Sequence, residues 1–180
     1  MRICVLNGSA ERGDLDVYLS RFSSLAQEKG HSVKALQLRD MDIKYCVGCF
    51  GCWVKTPGEC IAQDDSADVC RTVIHSDLLL CASPVKMGQI SALLKKTHDK
   101  FLPLILPYFQ VRKGEIHHPQ RYEHTPDIAL LLERNGADEE DLAIVERSYR
   151  RLAINFDAEF RFLKLTENPV EEVIDALAAA

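Results

Sequence analysis

Cys46, Cys49 and Cys52 are spaced by two residues each, and Cys60 follows after seven more. Thiolates at such intervals can converge, because a tight turn brings every third side chain to one side. Three chemistries suit the pattern. The four sulfurs could ligate a [4Fe–4S] cluster, for which three close cysteines and a fourth nearby suffice. Neighbouring pairs could instead open and close as reversible disulfides. The third reading is a loop whose thiols behave as small apolar groups, with Trp53 packed over them. Zinc suits the run less well, since structural zinc sites usually take two separated ligand pairs. Gly48, Gly51 and Gly58 let the backbone turn tightly around whatever is held.

The flanking elements must position this segment. Residues 2–6 form a short apolar run ending at Asn7-Gly8-Ser9, which reads as a buried strand and a turn. Helical spacing over residues 14–29 stops at Gly30, and residues 31–38 alternate as a second strand. Beyond the cysteines, Asp64-Asp65-Ser66 starts a helix that continues over 67–74. Residues 77–82 form a near-continuous apolar strand, 83–88 a loop, and 90–102 a helix. A further strand is expected over 127–132, a helix from the acidic run 138–141 to about 153, a weaker strand within 154–165, and a closing helix over 169–179. Strand–helix alternation of this kind implies an open parallel α/β sheet. The whole chain, 1–180, is expected to be one domain, with a cysteine-rich loop at 41–65 and an irregular excursion at 103–126.

Composition narrows the function. Apolar residues make up 47% and charged residues 27% of the 180, as in ordinary globular proteins. A formal net charge of -5 argues against nucleic-acid binding, which needs a basic face. No apolar run is long enough to span a membrane, and the opening residues are too short a run for an export signal. A cytoplasmic protein with mostly free thiols is the expectation. Cys4, Cys70 and Cys81 fall within expected strands or a helix and read as core. His117 and His118 are adjacent, so they point apart and make a poor metal pair.

Ligands of open α/β sheets bind beyond the carboxyl ends of the strands, where strand order reverses. The first turn, the cysteine segment, residues 83–88 and the Asn135-Gly136 turn should all line that edge. Here the chain resembles a known group. The Asn-Gly-Ser turn, the Cys-x-Gly-Cys-x-x-Cys-Trp segment with its later Pro-Gly-x-Cys and Asp-Asp, and Ser-Pro-Val-x-x-Gly before a helix are similar to the flavodoxin-like FMN reductases and iron–sulfur flavoproteins. The resemblance implies a three-layer sandwich around a five-stranded parallel sheet of order 2-1-3-4-5. It implies an oxidoreductase that carries electrons from NAD(P)H, or from an electron carrier, through FMN to an acceptor. Carried over by position, Ser9 and Arg12 would serve the flavin phosphate, and Pro84, Val85, Lys86, Met87 and Gly88 would border the ring. Cys46, Cys49, Cys52 and Cys60 would hold the [4Fe–4S] cluster. A homodimer or higher homo-oligomer is implied as well, with Arg121 or Tyr122 able to reach a partner's flavin. No side chain stands out as an acid–base catalyst.

The first loop departs from that pattern. Glu11 stands where the family carries an arginine and Leu15 where it carries a hydroxyl, so carboxylates crowd an anion site. Two further readings follow: a flavodoxin-like binding or assembly module with weakened or lost FMN binding, and a thiol redox sensor.

Overall fold

The computed structural model describes residues 1–178; Ala179 and Ala180, and with them the last position of the expected closing helix, lie outside the described residues. Strands β1 (Arg2–Asn7), β3 (Leu78–Lys86) and β7 (Asp127–Glu133) are nearly continuous apolar runs and form the middle of the sheet. Such strands suit a parallel sheet because helices cover both of its faces. With β2 (Ser32–Gln37) and β8 (Phe160–Leu165) the parallel order is β2-β1-β3-β7-β8. In chain order these are parallel strands 2-1-3-4-5, the flavodoxin-like order implied by the resemblance.

Helices α1 (Asp14–Glu28) and α6 (Val170–Ala178) cover one face. Leu15, Leu19, Phe22 and Ala26 of α1 join Val170, Val173, Ile174 and Leu177 in packing on Ile3, Val5, Leu80, Ala82, Ala129 and Leu131. The opposite face carries α3 (Ser66–Ile74), α4 (Ala92–His98) and α5 (Glu139–Asn155). There Val69, Val73, Leu94, Val145 and Tyr149 pack on Leu6, Leu79, Leu130 and the thiols of Cys4 and Cys81. Cys4, Cys70 and Cys81 are buried, as core residues should be, and burial pushes the Cys4 and Cys70 thiols up to about 12.

Three segments differ from expectation. Residues 83–88 are not an open loop: β3 runs on to Lys86 and turns back as β4 (Gln89–Ile90), with Val85 opposite Ile90. Met87 and Gly88 occupy the turn at φ 50° and 72°, the left-handed pair of a tight hairpin. Helix α4 therefore starts at Ala92, capped by the Ser91 hydroxyl, which accepts from the Leu94 N–H at 3.1 Å. The excursion at 103–126 is not irregular throughout, because β5 (Gln110–Arg112) and β6 (Glu115–His117) pair across a Lys113-Gly114 turn with φ 48° and 78°. These strands escape a pattern reading because each has three residues and Val111 and Ile116 face solvent. Within the cysteine segment, Phe50 at φ 54° leads into the single-turn helix α2 (Gly51–Val54).

The first turn is locked to its neighbours. The Gly8 N–H donates to Ala82 O at 2.8 Å, and its carbonyl accepts from Ser91 Oγ at 2.6 Å. A Cβ at position 8 would lie 2.7 Å from Leu94 Cβ and 3.2 Å from Ala82 O. Gly8→Ala should therefore cost about 1–3 kcal/mol of overpacking, read as a lower urea midpoint at unchanged slope. A midpoint equal to that of the parent would show that the turn has room to spare.

Candidate functional site

The strand order reverses between β1 and β3, and the turn after β1 leads into the start of α1. That is where doubly wound sheets bind ligands and where helix N–H groups attract anions. Asn7, at the end of β1, is fully buried. Its Nδ2 donates to Asp16 Oδ1 at 2.9 Å and to Gln37 Oε1 at 2.7 Å, while its Oδ1 accepts from the Ser9 N–H at 2.9 Å. Asp16 sits in the first turn of α1 and collects two more donors. Arg39 Nη2 reaches its Oδ1 at 2.7 Å, and the Gly13 N–H reaches its Oδ2 at 2.9 Å. Burial pushes the Asp16 carboxyl up, but the hydrogen bonds from Arg39 and Gly13, the Arg39 charge and the Asn7 bond outweigh it and hold the group below its usual value.

Of the two residues expected to hold a phosphate, one is engaged within the turn and the other is exposed. Ser9 Oγ donates to the Glu11 carbonyl at 2.7 Å, and Arg12 is exposed. Leu15 is a core residue of α1. In the β3–β4 hairpin, the Pro84 and Val85 side chains are buried in the sheet, whereas Lys86 and Met87 are exposed. Gly88 is favoured by its positive φ, and an added Cβ there would lie 2.5 Å from the Asp141 Oδ1.

The cysteine segment is anchored from below. Lys100 is buried, and its Nζ contacts Asp64 Oδ2 at 2.9 Å and Cys60 Sγ at 3.2 Å. Asp64 also accepts from the Ser66 hydroxyl and N–H and from the Lys44 N–H. Burial alone would raise the Asp64 carboxyl; the bonds from Ser66, Lys100 and Lys44 bring it down to about 2. Lys100 is held above its usual value against burial by Asp64 and Cys60. Neither Lys100 nor Asp64 stood out in the sequence, where one lies in a helical pattern and the other reads as a helix start. The same is true of Asp16 and Arg39, which meet only because β1, α1 and the end of β2 converge.

Cys46 and Cys49 are exposed, Cys52 is buried and Cys60 is partly buried. Burial pushes the Cys52 thiol up, and the nearby Cys60, Cys46 and Cys49 sulfurs push it further. Among the described residues, however, no three His, Cys, Asp or Glu side chains already converge as a metal cage. Donor chemistry suits a cluster, and the exposed arm bearing Cys46 and Cys49 would have to fold inward to complete one. Beside Cys60 lies a cavity of about 390 Å³, lined in part by Gly58, Cys70, Arg71 and Tyr122. The excursion roofs the segment: Trp53 Nε1 donates to the Leu102 and Ile105 carbonyls, and its ring lies 5.0 Å from His118 and 5.2 Å from Phe50. His117 contacts Glu115 and Asn155, whereas His118 contacts the Tyr108 carbonyl, so the two imidazoles do point apart.

The sequence model of the family described as NADPH-dependent FMN reductase matches residues 1–112, well over half of the chain. The chain belongs to that family. Among curated proteins it is similar to an iron–sulfur flavoprotein of Archaeoglobus fulgidus, 30% identical over 99 residues, which is 55% of this chain and 44% of that protein. An iron–sulfur flavoprotein of Methanocaldococcus jannaschii is 28% identical over 113 residues, covering 62% and 57% of the two chains. The chain thus spans about half the length of the curated relatives it matches. In fold it is similar to an NAD(P)H:quinone oxidoreductase from Methanothermobacter marburgensis (TM-score 0.66, 16% identity, 99% and 96% of the two chains). It is also similar to an FMN-dependent NADH-azoreductase from Bacillus anthracis, solved with FMN (TM-score 0.66, 12% identity, 98% and 99%). At these identities the two structures speak for the flavodoxin-like fold of the FMN reductase family alone.

The Lys100–Asp64 pair makes a prediction about stability. Asp64→Asn or Lys100→Met alone strands a buried partner and should cost about 3–5 kcal/mol, whereas Asp64→Asn with Lys100→Met, which keeps an acceptor for Ser66 and Lys44, should cost much less. Because the Asp64 carboxyl is depressed, its contribution is full above the unfolded value near 3.9 and fades as pH falls toward about 2. Thermal unfolding between those pH values should show a loss in the parent that Asp64→Asn lacks. Equal pH dependence in both proteins would remove the pair from this role.

Proposed function

We propose that the protein is a flavin-dependent oxidoreductase passing electrons from NAD(P)H, or from an electron carrier, to a separate acceptor. The observation that carries this reading is the carboxyl edge of the sheet in a member of the FMN reductase family. There the first turn, the β3–β4 hairpin and the Asn135 turn are tied together, Asn135 Nδ2 donating to Val85 O at 2.9 Å. A bound flavin would supply hydride acceptance and electron transfer. The chain's own part is to place it: Ser9 and Arg12 at the tail, with Pro84, Val85, Lys86, Met87 and Gly88 bordering the ring, Lys86 bringing a cation to that edge. Titrating the purified protein with FMN and riboflavin, then adding NADH or NADPH, should show flavin uptake and nucleotide oxidation. A protein that takes up neither flavin would sink the reading.

We further propose that Cys46, Cys49, Cys52 and Cys60 hold a [4Fe–4S] cluster, a reading supported by the donor set and by curated relatives named iron–sulfur flavoproteins. Anaerobic purification should yield iron and acid-labile sulfide in equal amounts, both lost in Cys52→Ser. Their absence from the parent protein would leave reversible thiol chemistry, which the Lys100 Nζ to Cys60 Sγ contact favours. Phe50, Val54, Tyr108, Phe109, Val111 and Ile116 are exposed on the cysteine segment and its roof. We assign that apolar surface to a second copy of the chain. A monomeric mass by ultracentrifugation would contradict the assignment.

A further inference from the structure

The donors at the first turn already hold an anion, and it is the protein's own. The Gly13 N–H, Asn7 Nδ2 and Arg39 Nη2 converge on the Asp16 carboxylate at 2.7–2.9 Å. These are the groups a phosphate at this position would require: a backbone N–H at a helix start, a buried amide and a guanidinium. The arrangement is enclosed, with the Arg39 and Asp16 side chains only 12% and 22% exposed. Arg39 also reaches the Ser9 carbonyl through Nη1 at 3.5 Å, and its Nε is buried without a partner among the described residues. The Ser9 hydroxyl and N–H are committed to Glu11 O and Asn7 Oδ1. Exposed Glu11 and Asp14 add negative charge on either side, offset in part by the exposed Arg12 between them.

We propose that Asp16 is a built-in occupant of the anion position at the β1–α1 turn, so that the site takes a flavin with an uncharged ribityl tail at least as well as one ending in phosphate. The flavin part of this inference rests on the oxidoreductase reading above; the occupied anion position does not. A phosphate must either displace the carboxylate, breaking three hydrogen bonds, or settle beside it as a like charge. A single contact between unit charges about 4 Å apart is worth roughly fivefold in affinity even at the dielectric of water, and more in an enclosed site. A ribityl hydroxyl meets the opposite situation, because it can donate to either Asp16 oxygen. Asp16 thus both repels the charged tail and offers acceptors to the neutral one.

The test pairs inorganic phosphate with the two flavins. Phosphate binding is followed by amide shifts of the Gly8–Asp16 stretch, and FMN and riboflavin affinities by quenching of flavin fluorescence. The parent protein should show no phosphate binding at millimolar concentration and an FMN-to-riboflavin affinity ratio of one or less. Asp16→Asn should acquire phosphate binding and raise that ratio at least tenfold, since a negative charge is removed and the Arg39 charge is left uncompensated. Asp16→Thr should do the same if the asparagine variant folds poorly, and the parent's own ratio decides if neither folds. A parent that prefers FMN tenfold, a ratio unmoved by both variants, or equal phosphate binding with and without Asp16 would each overturn the inference. If neither flavin binds any of these proteins, the oxidoreductase reading fails while the phosphate measurement still decides the role of Asp16.

Discussion

A parallel sheet covered on both faces leaves chemistry nowhere to sit but its edge. Leu79, Leu80, Leu130 and Leu131 are fully buried at the middle of β3 and β7, with helices on either side. Polar groups that must meet a ligand are therefore expelled to the turns at the strand ends. The rest of the molecule follows from that constraint. The first turn, the β3–β4 hairpin and the Asn135 turn are hydrogen-bonded to one another because they leave the same sheet at the same end.

Two charge clusters then organise that end. Arg39, Asp16 and Asn7 close the first turn, while Lys100 and Asp64 fasten the cysteine segment to the helical layer. Both clusters are enclosed, Arg39 keeping a buried Nε without a partner among the described residues, and their effects differ. The Lys100–Asp64 pair fixes a backbone, holding Cys60 in place above the start of α3. The Arg39–Asp16 pair consumes donors that an anionic ligand would otherwise use. On the proposal made above, such a turn would shift weight from the tail of a ligand to its ring.

The sequence made the parallel strands legible because long apolar runs and helical spacing report burial directly, as in residues 77–82 and 127–132. It did not reveal β4, β5 and β6, whose two or three residues carry no period and whose turns depend on left-handed Met87-Gly88 and Lys113-Gly114 pairs. The carboxylate crowding at residues 11–16 was visible as composition. Which carboxylate turns inward was not, since Arg39 is distant in the chain and arrives only through the β1–β2 pairing. Lys100 was hidden in the same way: a lysine in an amphipathic pattern reads as solvated until its partner, Asp64, is placed beside it.

Amide chemical shifts on adding riboflavin would report whether a flavin binds at the carboxyl edge of the sheet. Changes should concentrate in residues 8–16 and 84–88, with little at the opposite end of the sheet near Ser32, Asp77 and Asp127. Shifts centred on that opposite end, or on the outer face of α5 alone, would contradict binding at the carboxyl edge.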